Sequence, residues 1–206
     1  MQTITLGLDI GQYAIKGARP GRLGGMLGVG PADSFEKRVQ RDQGGDPFCL
    51  LSEGQKAALR ELVSEGKIRP SDDVAVSLPG HLISNREIVL PFTDPQKIRK
   101  TLYYEAEGQL PFNLEEAVIG YQLLPGQAAS TRVLVFAAPK KMLANYLESL
   151  AEIGIDPVHI SIDQVALYHY FAAAFPKGDR QFVIDIGATK TVLCGIREGR
   201  LDWTRS

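Results

Sequence analysis

Apolar and polar side chains alternate over residues 3–8, which predicts a strand, and residues 14–19 read as its hairpin partner. The glycine-rich stretch GRLGGMLGVGPA then predicts little strand, and residues 34–47 are polar enough to predict an exposed loop. Ser52 is placed to cap a helix whose apolar stripe runs through Ala57, Leu59, Leu62 and Val63 to Gly66. DDVAVSLPG predicts a short buried strand closed by Pro79 and Gly80, and HLISNREIVLPF predicts another that ends near Leu90. Thr93 reads as the cap of a second helix, with its stripe at Ile98, Leu102 and Ala106 and its stop near Gly108. AVIGYQLL and RVLVFAAP are two strands joined by a polar loop. A strongly amphipathic helix through Met142, Leu143, Tyr146, Leu147 and Leu150 ends at Gly154. DPVHISI is a strand, Asp163 caps a last helix stopped by Pro176, and three further strands follow in residues 181–185, 191–196 and 201–204.

Hairpins and helices are thus mixed along one chain, which predicts an α/β fold with parallel and antiparallel pairs in one sheet. A hairpin rather than a helix follows the first strand, so a doubly wound dinucleotide fold is excluded. Neither G-x-G-x-x-G after a strand nor G-x-x-x-x-G-K-[ST] occurs. The 206 residues are 44% hydrophobic and 23% charged, enough to bury a core. A net charge of −1 argues against a nucleic-acid partner held by bulk charge. The longest clean apolar run, residues 133–138, falls far short of the ~20 residues of a membrane helix, so the expectation is a soluble chain with no direct membrane insertion. The first basic residue is Lys16 and the chain opens as a strand, so a secretory leader is not expected. Cys49 and Cys194 lie far apart and form no metal-ligand spacing; they are expected to be reduced thiols.

The pattern that carries chemistry is Asp-Ile-Gly, written twice, in LGLDIGQYAIKG and in FVIDIGATKTVLCG. Each copy follows an apolar strand and precedes another. An Asp at a strand end can hold a hydrated magnesium ion, which keeps most of its waters. A Gly two residues on admits positive φ and lets backbone N–H groups approach phosphate oxygens, and a nearby Lys adds a point charge. The first turn offers Asp9, Gly11, Gln12 and Lys16, and the second Asp185, Gly187, Thr189 and Lys190. The plainer reading is two ordinary hairpins. Asp163 has two readings as well, a weak catalytic candidate or simply a helix cap. His81, His159 and His169 are scattered, and Ser77 and Ser161 have no nucleophile-elbow pattern around them. Glu105 and Glu107, two apart on one helix, point to different faces.

Two Asp-Ile-Gly hairpins in one chain resemble the actin-like ATPase superfamily. The middle of the chain narrows this. VSLPG, NREIVLP and LYYEAEGQLPFNLEEAVIGYQLL resemble the type IV pilus assembly protein PilM and its relative, the type II secretion protein GspL. That resemblance implies an actin-like, ribonuclease H-like mixed sheet. Residues 1–80 with 139–175 would form the first lobe, residues 81–138 a small inserted α+β subdomain, and residues 180–206 the start of a second, truncated lobe. In the family that second lobe continues and carries the adenine-binding glycines. Lys16 matches the family's phosphate-side lysine, Asp185, Gly187 and Thr189 its second loop, and Asp163 the Asp before its linking helix. Gln12 and Tyr13 depart from the small hydroxyl residues usual there.

By that resemblance the expected function is a cytoplasmic scaffold, peripheral at the bacterial inner membrane, in a type IV pilus or type II secretion assembly platform. It would bind a short cytoplasmic peptide of a bitopic membrane protein and communicate with the assembly motor ATPase, with a homodimer as a further expectation. The alternative is a phosphotransferase or ATPase of the same superfamily. ATP and Mg are expected for a longer form, with no tight binding and little or no turnover in this chain. Asp9 and Asp185 are the expected Mg-side carboxylates, acting through water. The partner surface is expected at Arg86, Leu90, Phe92, Tyr103, Tyr104 and Phe112. There REIVLPF leaves an apolar stretch, and adjacent tyrosines, ~100° apart on a helix, cannot both enter one core. The 181–206 segment, with an apolar face and an open edge, is expected to need a packing partner.

Overall fold

The computed structural model describes residues 5–23, 26–40, 50–125, 129–175 and 178–206. Eleven strands and four helices are assigned there: β1 (Thr5–Ile10), β2 (Ala14–Leu23), β3 (Met26–Arg38), α1 (Glu53–Ser64), β4 (Asp73–Leu78), β5 (Ser84–Leu90), α2 (Pro95–Ala106), β6 (Ala117–Leu124), β7 (Thr131–Pro139), α3 (Lys140–Ala151), β8 (Pro157–Ile162), α4 (Asp163–Ala174), β9 (Arg180–Ile186), β10 (Thr191–Arg197) and β11 (Arg200–Arg205). They form three sheets, ordered β3-β2-β1-β4-β8, β5-β7-β6 and β11-β10-β9. In the first sheet β1, β4 and β8 run parallel, while β2 is antiparallel to both of its neighbours. A hairpin pair thus extends a parallel sheet whose later strands are reached through helices, the arrangement that the mixed element order predicts.

One core joins the first sheet to the third. Leu6, Leu8 and Val76 belong to the same cluster as Leu59 and Leu62 of α1, Leu150 of α3, and Val192, Cys194, Ile196 and Leu201 of the third sheet. Leu134 and Phe136 add the inner face of β7, while the opposite face, Val133 and Val135, joins Ile88, Leu90, Ile98 and Leu102 in a second cluster under α2. Arg132 of β7 ties the second sheet to the third. Its guanidinium donates to Glu87 Oε1 at 2.6 Å on β5 and to Asp202 Oδ1 at 2.6 Å on β11. Burial pushes the Cys194 thiol up to about 12, helped by the Asp163 charge, so the thiolate that reagents attack is scarce there at neutral pH. Cys49 lies outside the described residues.

Four expectations need correction. The described residues of the glycine-rich stretch 21–32 and residues 34–38 are not irregular: β2 runs on to Leu23 and β3 spans Met26–Arg38, paired with β2 as far as Ala14↔Arg38; residues 41–47 of the expected loop lie outside the described residues. Polar composition there is overridden by pairing. Phe35 sits opposite Gly17 and its ring covers the place a Cβ would take, a cross-strand aromatic-on-glycine contact that local propensity does not report. The second helix is capped by Asp94, not Thr93. The Asp94 carboxylate accepts from Lys97 N at 2.8 Å, and Pro95 opens the helix where its missing N–H costs nothing. Asp163 is the first residue of α4 rather than its cap.

The third sheet packs as expected on one face only. Phe182, Ile184 and Ile186 of the edge strand β9 are 66%, 58% and 80% exposed. Trp203 lies across Gly195, its indole filling the space of the absent side chain.

Candidate functional site

The two Asp-Ile-Gly turns adopt one geometry. Gly11 N donates to Ala14 O at 3.1 Å, and Gly187 N to the corresponding Lys190 O at 2.9 Å. Ile10 pairs with Ile15, and Ile186 with Thr191, so the two hairpins share a register. Neither glycine has positive φ, contrary to expectation; among the described residues Gly66, Gly108, Gly154 and Gly199 do. The requirement is close approach instead. A Cβ on Gly11 would stand 2.8 Å from the Ala14 carbonyl, and one on Gly187 3.1 Å from that of Lys190. A side chain at Gly11 would force the first turn to shift, and one at Gly187 would require its neighbour to give by a few tenths of an ångström.

The first turn is held from behind. Gln55, 1% exposed, completes a capping box with Ser52 through its Oε1 and donates Nε2 to Gly11 O at 3.0 Å and to Ile10 O at 3.3 Å. The S-x-x-Q spacing at 52–55 was the available signal for this residue. Tyr13 has its ring beneath the Arg38 guanidinium, 5.4 Å from the ring centroid. Gln12 is exposed at the turn, as is Thr189 in the second turn.

The start of α4 joins the rest. Asp163 Oδ1 accepts from Gly80 N at 3.0 Å and from Gln164 N at 2.8 Å, while Oδ2 pairs with Lys190 Nζ. The Pro79–Gly80 end of β4, the first residue of α4 and the second glycine turn therefore meet on one carboxylate. Gln164, fully buried, fills the place of a Gly80 side chain and donates Nε2 to Ser206 Oγ at 3.2 Å. Gly80 and Gln164 escaped the reading of the sequence, because their roles come from residues 83 positions apart meeting in space.

Asp9, opposite Lys16 across the hairpin, completes the cluster. Asp9 is exposed at the rim of the cleft, and the partial desolvation it meets there raises its pKa above the ordinary 3.8; Lys16 opposes this, Asp185 adds to it, Lys190 opposes it and Asp163 adds a little more. The structure thus brings Asp9, Lys16, Asp185, Lys190 and Asp163 into one electrostatic neighbourhood. His81 sits at its edge. Burial and the Lys190 charge lower its pKa, with Asp163 opposing. Among the described residues no group of three or more His, Cys, Asp or Glu is arranged to hold a metal ion. A raised carboxyl is destabilising when ionised, so the folded chain gains stability as pH falls through the raised Asp9 value. Asp9→Asn should therefore melt higher than the parent at pH 7, with the difference closing on acidification toward 3.8. Thermal melts from pH 7 to pH 4 check this.

The expected partner residues fall elsewhere, on the second sheet and α2. Tyr103, Tyr104 and Phe112 line one cleft of about 620 Å3. Arg86 is exposed and donates Nε to Gln109 O at 3.1 Å, beside the end of α2. Phe92 packs partly against the α2 cluster. Leu90 departs from expectation: it is buried in that cluster, because the β5 pleat turns it under α2, and it supports the surface from beneath.

A mixed sheet in the order 3-2-1-4-8, two matched glycine turns and a second sheet inserted between β4 and α3 define an actin-like fold, whose solved relatives are matched over 61–71% of their length. Residues 7–206 match the family described as type IV pilus assembly protein PilM, and the chain belongs to that family. No curated protein sequence matches it. Among solved structures, a chain of a PilM-PilN type IV pilus biogenesis complex is 24% identical with a TM-score of 0.73; the match covers 100% of this chain and 61% of that one. The cytoplasmic domain of EpsL, an inner-membrane component of the type II secretion system of Vibrio cholerae, is 12% identical with a TM-score of 0.58, covering 94% and 71%. A Bacteroides thetaiotaomicron protein with an actin-like ATPase fold is 13% identical with a TM-score of 0.50, covering 98% and 68%. These likenesses establish the fold. Among the described residues no helix is long and apolar enough to cross a membrane.

Proposed function

We propose that this chain is an actin-fold scaffold of a type IV pilus inner-membrane assembly platform, placed at the cytoplasmic face by its partners. Its task is to hold a short cytoplasmic peptide of a bitopic membrane protein. The observation that carries this reading is the PilM family match over residues 7–206, which includes the inserted second sheet and α2. The PilN partner in the solved PilM complex supports a membrane protein of that kind. In this reading residues 1–80 with 139–175 are the first lobe, 81–138 the insert that meets the partner, and 180–206 the start of the second lobe. The motor ATPase is a second partner, whose state the chain relays. The test is isothermal calorimetry with the cytoplasmic N-terminal peptide of the neighbouring membrane protein. Binding in the micromolar range is expected, and no heat at 100 µM-scale protein, about the concentration at which such contacts saturate, would end the proposal.

The alternative, a phosphotransferase or ATPase, draws on the same cluster. Lys16 and Lys190 are suited to phosphate oxygens. Asp9 and Asp185 fit a hydrated Mg ion, held through its waters, which would neutralise phosphate charge. Asp163 is poorly suited to act as a base, since both of its oxygens are already engaged by Gly80, Gln164 and Lys190. Little turnover is therefore expected. Low-micromolar, Mg-dependent ATP binding to this chain would favour the enzyme reading. Where binding is measurable, Lys16→Ala and Asp185→Ala should each weaken it by ~1–3 kcal/mol.

A further inference from the structure

The third sheet has two unlike faces. Val192, Cys194 and Ile196 of β10 lie in the core, so strand alternation turns Thr191, Leu193, Gly195 and Arg197 outward. Strand pairing extends that outer face across the sheet. Arg197 stands opposite Arg180 of β9 on one side and opposite Arg200 of β11 on the other, so three exposed arginines form one row over three strands. Like charges directly opposite one another cost stability. Only Arg197 is compensated, by Asp202 at 2.7 Å; among the described residues Arg180 and Arg200 make no ion pair. Arg205, opposite Leu193, adds a fourth exposed cation to this face. The acids of the three strands do not answer them. Asp185 stands opposite Val192 on the core side, and Asp202 is buried between Arg132 and Arg197. Asp179 and Glu198 lie just past the strand ends. Beside the arginine row runs the exposed apolar ladder Phe182, Ile184 and Ile186, with the Trp203 ring centroid 6.1 Å from that of Phe182.

We propose that the outer face of the third sheet rests on an anionic phospholipid surface, with the arginine row among the lipid phosphates and the apolar ladder and Trp203 at the boundary of headgroups and acyl chains. The choice of a bilayer rests on the inner-membrane reading above, and the contact itself goes beyond it, because no partner peptide is needed. Neighbouring strands are ~4.8 Å apart, so the row spans about 10 Å and suits several phosphates in a plane rather than one bound anion. Guanidinium groups pair with phosphate oxygens through two parallel hydrogen bonds. Arginine together with tryptophan and bulky apolar side chains on one surface is the composition of segments that lie in a membrane interface. The whole chain carries a net charge of −1, so the attraction belongs to this patch and not to the molecule at large. A second copy is the poorer occupant. A two-fold contact would bring this face against itself, and four arginines would meet four arginines with no acid between them.

The experiment mixes the full chain with vesicles of phosphatidylcholine alone and with vesicles that also carry about 30% phosphatidylglycerol, enough to give an anionic surface. Trp203 is the one tryptophan of the chain, so its emission reports on this face directly. Binding to the anionic vesicles is expected, with a blue shift of that emission, with about tenfold weaker binding to the neutral vesicles, and with affinity falling as salt rises. Arg180→Gln/Arg200→Gln is expected to bind the anionic vesicles about thirtyfold more weakly. That variant removes two like charges from the row, so it is expected to melt no lower than the parent. Ile184→Ser is expected to weaken binding several-fold and to leave its salt dependence in place. Equal affinity of parent and double variant for anionic vesicles, or an unshifted emission, would put the contact on another face and overturn the inference. Binding to neither vesicle would also overturn it, while the calorimetry with the partner peptide decides the scaffold reading separately. Vesicle binding without peptide binding would leave this contact standing and end the scaffold reading. A Trp203 shift with soluble polyglutamate but not with vesicles would make the occupant an acidic protein segment. Self-association in sedimentation runs that Ile184→Ser abolishes, without vesicle binding, would make it a second copy. Either result would overturn the lipid assignment.

Discussion

Arg19→Ala is expected to destabilise the chain by about 3–5 kcal/mol, the range for a buried ion pair that loses one partner. Arg19 lies in β2 with its side chain 6% exposed, and Asp72, just before β4, is 4% exposed. Its guanidinium donates Nη2 to Asp72 Oδ2 at 2.5 Å and to Lys67 O at 2.7 Å, and Nη1 to Asp33 Oδ2 at 3.2 Å. Asp72 also accepts from Arg69 N at 2.9 Å, so the pair pins the turn after α1 to the hairpin edge of the sheet. Truncating the arginine leaves the buried Asp72 carboxylate without its cation and the Lys67 carbonyl without this donor. The cost comes from those orphans rather than from the lost attraction, which gives a control. In Arg19→Met/Asp72→Leu no charge remains buried, and much of the loss should return. Urea unfolding of the four members of that cycle measures this. A loss under about 1 kcal/mol for Arg19→Ala would mean that water reaches the pair and that it behaves as a surface contact.

Asp163→Ala is expected to cost about 2–3 kcal/mol and to loosen the third sheet. One carboxylate there serves three donors on three elements, the Gly80 and Gln164 amides and the Lys190 ammonium. Asp163→Asn keeps an oxygen for the two amides and loses only the charge, so it should cost clearly less. Lys190→Met should resemble Asp163→Asn, because both remove the ion pair alone. Hydrogen exchange adds the location. Amides of β9, β10 and β11 should exchange faster in Asp163→Ala, whereas those of β1 and β4 should change little. Equal stability of the Ala and Asn variants would assign the whole effect to the ion pair, and equal exchange across the sheets would remove the coupling role.

Much of the fold was legible along the chain because it is written in local periodicity. The stripes of α1, α2 and α3 and the apolar runs of β4, β7 and β10 depend on neighbours one to four residues apart, which any reading of the chain can see. The family was legible for a different reason: the Asp-Ile-Gly pair and the EAEGQLPF block are contiguous words. Where one residue's role depended on a distant one, the reading stopped short. The end of β3 looked like loop until Phe35 was seen covering Gly17.

The site divides along the same line. Asp9, Lys16, Asp185, Lys190 and Asp163 could each be picked out as residue types in suggestive places, but nothing in their order along the chain says that they share one field. That depends on the first sheet and the third closing on either side of α4, with Gly80 brought against Asp163 and Gln164. Likewise the tyrosine pair was visible as two adjacent aromatics, whereas Leu90 could be placed beneath the surface rather than on it only once the pleat of β5 and the position of α2 were known. Sequence alone determined most of the elements and the family they belong to, since both rest on short-range patterns, whereas β3 needed its pairing with β2. Tertiary structure decided which glycines cannot carry a side chain, which charges feel one another and which apolar residues face solvent, since each of these is set by distances between segments far apart in the chain.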